Sequence, residues 1–304
     1  MRIMPTSFRA APIAVIVGCC FVAASGGCGR SGEASVSIDE KQMLAMRKPT
    51  AASAGGAATG DVGSGWGTLK GRFTFGGAAP AIGLLAGFDP NKDALCKIPV
   101  KDDSFVVDAS SKGISNVLLY VRAAPRVHPD FESAAPKEVL FDQKECRFLT
   151  RVFAQSIKDK YVILNSDDPA HNSNGDPGGG NPPYNALLSP KVGRFDYPGF
   201  KKAINTPYEI TCSIHPWMKA YHIARPDPYF AVSAADGTFT IEKLPAGVDL
   251  EFQVWHEKGA ADKGGLVGKA DGLTWTAAGR FKIKIPENGE ATVNAVVEPS
   301  ALAL

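Results

Sequence analysis

Cys212-Ser213-Ile214-His215-Pro216-Trp217-Met218 places a thiol, an imidazole and a thioether on one short stretch, each three residues from the next. The run at 208–211 reads as a strand that delivers the chain to Cys212, and 218–223 returns to an extended pattern. The stretch therefore reads as a loop at the rim of a sheet, with Pro216 restricting its backbone. Upstream, His171-Asn172 falls in a segment, 165–183, crowded with Asn, Asp, Gly and Pro. That composition predicts an irregular loop.

Around these two segments the texture is short β runs punctuated by turns. Strands are expected at 67–75, 105–107, 116–121, 139–141, 148–153, 161–164, 184–188, 194–197, 208–211 and 218–223. Pro226 to Pro228 marks a boundary, beyond which further strands are expected at 229–232, 238–241, 250–255, 281–285 and 291–297. Asp236-Gly237 reads as a tight hairpin turn and Pro245-Ala246-Gly247 as another turn. Periodic helical segments are scarce, and Gly (32) and Pro (22) are abundant, which favours an all-β, loop-rich class. The expected architecture is an all-β sandwich followed by a second, smaller β-sandwich module. The expected segments are 1–27 a lipoprotein signal peptide, 28–65 a flexible tether, 66–226 the first domain and 227–304 the second.

Charged residues make up 21% of the 304 residues and the formal net charge is +2, a balance that argues against a nucleic-acid or polyanion binder. The N-terminus reads as an export signal: Arg2 and Arg9 supply a positive region, and 11–24 is apolar but short for a membrane span. Ser25-Gly26-Gly27 before Cys28 looks like a bacterial lipoprotein cleavage site, with Cys28 taking the lipid and Cys19 as the alternative. An ordinary secretory signal is the other reading. The expected location is outside the cytoplasm, lipid-anchored, facing the periplasm or the cell surface. With Cys19, Cys20 and Cys28 in that region and Cys212 in the loop, Cys96 and Cys146 are an even pair in an oxidising setting and are expected to form a disulfide.

One thiolate, two imidazoles and a weak thioether form the ligand set of a blue-copper electron-transfer site: the sulfur stabilises Cu(I) and the imidazoles tolerate Cu(II). Cys212, His171 and His215 would be the strong ligands and Met218 the weak axial one. Zinc is the main rival, since one Cys and two His can bind it with an open fourth position, although a thioether is a poor zinc ligand. No C-x-x-C-H is present, which excludes a c-type haem attachment.

Cys212-x-x-His215-x-x-Met218 with His171-Asn172 upstream resembles the cupredoxin family, and its spacing is similar to the amicyanin group, including Pro216 after the His and an aromatic at Trp217. The resemblance covers about 160–223 well. It implies a Greek-key sandwich, one type 1 copper held by His171, Cys212, His215 and Met218, and Asn172 tying the two ligand segments together. It further implies that the exposed edge of His215, with Pro216 and Trp217 beside it, forms a docking surface for redox protein partners. The long Gly-rich stretch after His171 departs from the compact loop of the family.

Downstream, Asp236-Gly237-Thr238-Phe239 followed by Leu244-Pro245-Ala246-Gly247 resembles prealbumin-like and carboxypeptidase-regulatory β-sandwich modules, which also occur beside rhamnogalacturonan lyases. That resemblance implies a fold and a docking role, with polysaccharide contact as the alternative; about 75 residues is few for a full sandwich, so 66–75 is expected to add a strand from the other end. Other residues carry less. Met43 and Met46 in a short capped segment, opened by Ser37-Ile38-Asp39-Glu40, read as packing. His222 reads as a strand residue, His128 as part of a turn, and Trp255-His256-Glu257 as a strand end that could line a second site. Asp167-Asp168 reads as a solvated turn before His171, with orienting that loop or binding a cation as the alternative. The functional expectation is an electron carrier rather than a catalyst. The rivals are a carbohydrate-binding or lyase-associated accessory protein and a copper carrier.

Overall fold

The computed structural model describes residues 62–85, 88–91 and 96–304. The expected signal, the tether up to 61, Met43, Met46 and the lipidation candidate Cys28 lie outside the described residues. The described chain is an all-β sandwich protein. In chain order the strands are β1 (Trp66–Phe75), β2 (Leu118–Val121), β3 (Glu138–Phe141), β4 (Gln143–Lys144), β5 (Arg147–Phe148), β6 (Val152–Ser156), β7 (Lys160–Asn165), β8 (His171–Gly175), β9 (Tyr184–Leu188), β10 (Gly193–Asp196), β11 (Tyr208–Thr211), β12 (Lys219–Arg225), β13 (Phe230–Val232), β14 (Thr238–Pro245), β15 (Asp249–Trp255), β16 (Arg280–Lys284) and β17 (Glu290–Val297). A five-residue helix, α1 (Pro129–Ser133), is capped by the His128 side chain, which accepts from the Asp130 N–H.

Strand pairing cuts across the boundary expected at 226. β1 lies between β14, antiparallel, and β17, parallel, so the first strand of the described chain completes a sheet with two of the last. β2 lies between β13 and β15 in a four-stranded sheet that ends at β16. These two sheets enclose one apolar core, with Leu69, Phe73, Phe239 and Val293 from one side and Leu119, Val121, Phe252 and Phe281 from the other. At Gly71 a Cβ would stand 1.8 Å from the Val293 carbonyl oxygen, so only glycine lets β1 approach β17 this closely. Gly237 takes φ +83°, as the turn after Asp236 requires. That turn links β13 to β14 in different sheets, so it is a crossover between layers rather than the hairpin expected from Asp-Gly.

The intervening chain forms a second pair of sheets, five strands in the order β6-β12-β11-β8-β9 and three in the order β10-β7-β3. Its core is aromatic: Phe141, Phe153, Tyr161, Tyr184 and Tyr208 meet Ile210 and Ile223. β2 joins the two cores because all four of its side chains are buried. Side chains alternate across a strand, so Leu119 and Val121 enter the first core while Leu118 and Tyr120 enter the second. An alternating strand would have left one face in water; the unbroken Leu-Leu-Tyr-Val run signals a middle layer. Buried Arg225 at the end of β12 fastens the same junction, donating to the carbonyls of Ile204 (2.8 Å), Val121 (3.0 Å) and Arg122 (2.9 Å).

Three further expectations are corrected by the structure. Residues 105–107 make only an isolated bridge, Val107 with Ile114, rather than a strand. The run 148–153 is divided between β5 and β6. The segment 165–183 is not wholly irregular, since His171–Gly175 is β8, paired with β9 and β11. His-Asn-Ser-Asn-Gly lacks β-forming residues, and it stays extended because its neighbours supply the ladder and the side chains of His171 and Asn172 have polar partners inside.

Candidate metal centre

β11 and β8 are adjacent antiparallel strands, which brings the residue after Thr211 beside the start of β8. The Cys212-to-Met218 loop closes on itself: Met218 N–H donates to the His215 carbonyl at 2.9 Å, and Cys212 N–H to the Met218 carbonyl at 3.3 Å. This folds His215 back towards Cys212 while β8 presents His171 from the other side. The result is that the Nδ1 atoms of His171 and His215 stand 2.8 Å apart, and Cys212 Sγ lies 3.8 Å from His215 Nδ1. The ligand atoms of His171, Cys212 and His215 all lie within 4.8 Å of one another. Exposure is 0% for His171, 1% for Cys212 and 2% for both His215 and Met218. Met218 shares the buried cluster that contains Cys212.

The electrostatics favour a thiolate. Burial pushes the Cys212 thiol up, but hydrogen bonds from His171, His215 and the backbone N–H groups of Asn172 and His215 outweigh it and bring the group to about 5. His171 is correspondingly pushed down by burial and raised further by Cys212 and Asp167, so its net shift is upward. A negative sulfur and two imidazole nitrogens facing one another in a dry pocket are the donors a soft monovalent or borderline divalent cation requires. In the metal-free protein the two Nδ1 atoms can pair only through one proton, which a cation would replace. The residues therefore fit copper, and the same three donors would accept zinc.

Surrounding groups hold the donors in place. Asn172 Oδ1 accepts the Ser213 N–H at 2.6 Å and lies 3.3 Å from Cys212 Sγ, while its Nδ2 donates to Asn185 Oδ1 at 2.7 Å. Asn172 thereby ties β8 to the ligand loop. Asp167, expected in a solvated turn, is instead buried: its Oδ2 lies 2.8 Å from His171 Nε2 and accepts the Cys146 N–H at 2.7 Å. Burial pushes the Asp167 carboxyl up, but the hydrogen bonds from His171, Cys146 and Asp168 hold it below its ordinary value. The signal that would have singled it out is a carboxylate four residues before the His, a spacing that sequence alone rarely ranks. Its neighbour Asp168 is in fact exposed and pairs with Lys191 at 2.7 Å.

Cys96 and Cys146 are joined, with Cα atoms 5.9 Å apart, and Cys212 is the free cysteine among the described residues. The disulfide lies against the site, since the sulfurs of Cys96 and Cys146 and a ring nitrogen of His215 fall within 4.8 Å of one another. Trp217 stacks towards His215 at a centroid distance of 5.1 Å, donates Nε1–H to the Cys146 carbonyl at 2.9 Å, and is itself covered by Phe88 at 4.5 Å. The edge of His215, expected to be exposed, is therefore closed by the disulfide and by Trp217. Pro216 remains exposed and Trp217 is half-buried.

Other histidines do not gather ligands. His222 is fully buried against Phe153, with centroids 4.1 Å apart, and receives or donates one hydrogen bond with Tyr208 at 2.8 Å. His256 accepts the Lys258 N–H at 3.0 Å, and burial lowers its imidazole to about 4. Among the described residues neither belongs to a group able to hold a metal ion.

No protein-family model and no curated protein sequence matches the chain. Among solved structures, a reduced tryptophan-to-tyrosine mutant of amicyanin is similar at 16% identity, covering 31% of this chain and 88% of that one, with a TM-score of 0.26. The Cu(I) form of a methionine-to-alanine mutant of amicyanin is similar at 16% identity over 29% of this chain and 81% of that one, TM-score 0.25. A copper-containing nitrite reductase from Thermus scotoductus SA-01 is similar at 22% identity over 28% of this chain and 22% of that one, TM-score 0.25.

Proposed function

We propose that this protein carries single electrons through one type 1 copper held by His171, Cys212, His215 and Met218. The observation that supports this reading most is the convergence of two Nδ1 atoms and one thiolate-favouring sulfur at a single buried point. Bound there, copper would supply a one-electron couple between Cu(II) and Cu(I). The chain's own part is to hold the donors in one arrangement. Asn172 fixes the loop to β8, Asp167 fixes the His171 ring, and Pro216 restricts the turn. Met218, the weak thioether, favours copper over zinc.

The burial of all four side chains favours a metal that stays in place, which supports this reading over a copper carrier. The two compete in one experiment. An electron carrier gives reversible voltammetry and loses copper slowly to a chelator; a carrier of copper ions surrenders it within the mixing time. The reading includes export and a lipid anchor at Cys28, supported by the N-terminal sequence, with redox proteins outside the cytoplasm as partners. A polysaccharide-binding accessory protein would instead be colourless and retained on a polysaccharide array.

A further inference from the structure

Among the described residues, three groups of donors overlap at the metal centre. His171, Cys212 and His215 form the one described above. The other two both contain Cys146, with Cys96 and His215 in one and with Asp167 and His171 in the other, the donor atoms of each group lying within 4.8 Å of one another. The disulfide therefore sets two sulfurs against a ring nitrogen of His215, with a carboxylate oxygen of Asp167 beside the Cys146 sulfur. Bonded to each other, those sulfurs are poor metal ligands, because the thiolate is the form that binds. The backbone of Cys146 is held independently of the S–S bond: Asp167 Oδ2 accepts its N–H at 2.7 Å, and Trp217 Nε1–H donates to its carbonyl at 2.9 Å. Its sulfur thus stays at the site when that bond is broken. Glu145 and Cys146 are the two loop residues between β4 and β5, at φ +55° and +54°, a region where residues other than glycine are strained. β4 and β5 form a sheet of only these two short strands, and Glu145 and Arg147 on either side of Cys146 are exposed. Local opening of this turn admits a small reductant to a sulfur that is otherwise buried.

We infer that Cys96 and Cys146, once reduced, form with His215 a second metal site, for a thiophilic divalent cation of the zinc type. A dithiol supplies the two electrons and two protons: the Cys96–Cys146 bond breaks, two S–H bonds form, and the dithiol closes into its own disulfide. The cation then replaces the thiol protons, which pass to solvent. Two thiolates and one imidazole, with the Asp167 carboxylate or a water as the fourth donor, make the tetrahedral set that zinc takes. Two sulfurs, each about 2.3 Å from one zinc at the tetrahedral angle, stand roughly 3.8 Å apart. Cα atoms 5.9 Å apart allow that separation. An imidazole has two ring nitrogens, so His215 can serve both sites. The sulfurs are not shared, so the second site does not rest on the copper reading.

The experiment uses the full chain carrying Cys212→Ser, in which the first site has lost its sulfur, with cobalt(II) as a coloured probe for zinc. The variant Cys96→Ser/Cys146→Ser/Cys212→Ser retains Cys19, Cys20 and Cys28 and sets the background. Reduced with a phosphine, the Cys212→Ser chain should gain an intense thiolate-to-cobalt absorption above that background, bleached by added zinc. Its disulfide form should stay at the background. Adding His215→Ala to Cys212→Ser should weaken cobalt binding on the order of tenfold or more. An absorption no greater than the background, or an affinity indifferent to His215, would overturn the inference. Circular dichroism shows whether the reduced chain keeps its sheets. If it unfolds, cobalt should restore them, and a chain that stays unfolded with cobalt present overturns the site as well. The thiolate-to-copper colour of the unsubstituted, oxidised chain is read separately, so a failure of the copper reading and a failure of this site are told apart.

Discussion

His171 Nε2 and Asp167 Oδ2 stand 2.8 Å apart inside the protein, and that one contact links the ligand ring to a carboxylate that also holds the Cys146 backbone. A carboxylate on the outer nitrogen fixes the ring's orientation and increases its basicity. Asp167→Asn should therefore shed copper to a chelator about 10- to 100-fold faster, while the thiolate-to-copper colour persists. Its reduction potential should rise, because a negative charge that favours Cu(II) has gone. An unchanged potential and unchanged metal loss would show that the contact is incidental.

The Cys212 thiol provides a pH signature of the metal-free protein. Its value in the fold is about 5, against an ordinary 9.0. A depressed value stabilises the fold fully above pH 9.0, and the contribution disappears as pH falls to about 5. The raised imidazole of His171 acts oppositely: its contribution is present below pH 6.5 and fades as pH rises through its higher value in the fold. Thiolate absorbance of the metal-free chain should accordingly titrate near pH 5. The stability advantage over Cys212→Ser should shrink as pH is lowered from 9 towards 5. A midpoint near the ordinary thiol value would mean that the imidazoles do not face the sulfur.

Removing the disulfide tests the covering of the site. Cys96 and Cys146 are 50 residues apart in sequence, so their cross-link should contribute about 3–4 kcal/mol through the unfolded chain. The double variant Cys96→Ala/Cys146→Ala should lose about that much in denaturant unfolding. It should also expose His215, read as faster copper removal. Retained stability would indicate that the disulfide acts only locally.

How much of this was legible in the sequence depends on the kind of signal. Cys212, His215 and Met218 were found together because a tight loop is local in the chain. β11 was found with its bounds because Tyr-Glu-Ile-Thr alternates. β8 was missed because His171–Gly175 is polar, and its extended form comes from β9 and β11, which lie elsewhere in the sequence. The burial of Asp167 was illegible for the same reason: its partners, His171 and the Cys146 backbone, are defined only by the fold. The joining of 66–75 to the C-terminal strands was legible from the shortness of that module, but the place of β2 was not, because β13 and β15 lie more than a hundred residues away in sequence.

Arg225 is the residue on which the junction of the two cores depends. Its guanidinium satisfies three buried carbonyls and lies 4.7 Å from the centre of the Tyr120 ring. Arg225→Met keeps the volume but leaves those carbonyls unpaired, at a cost on the order of 3 kcal/mol. The unfolding midpoint in urea should fall with little change in the copper spectrum. A spectrum that changed as much as the stability would show the junction and the metal centre to be coupled.

The most direct test is the visible and paramagnetic-resonance spectrum of the copper-loaded protein. The geometry of His171, Cys212 and His215 predicts an intense thiolate-to-copper absorption with a narrow copper hyperfine splitting, both lost in Cys212→Ser. A colourless protein that binds copper with equal affinity after that substitution would contradict the assignment.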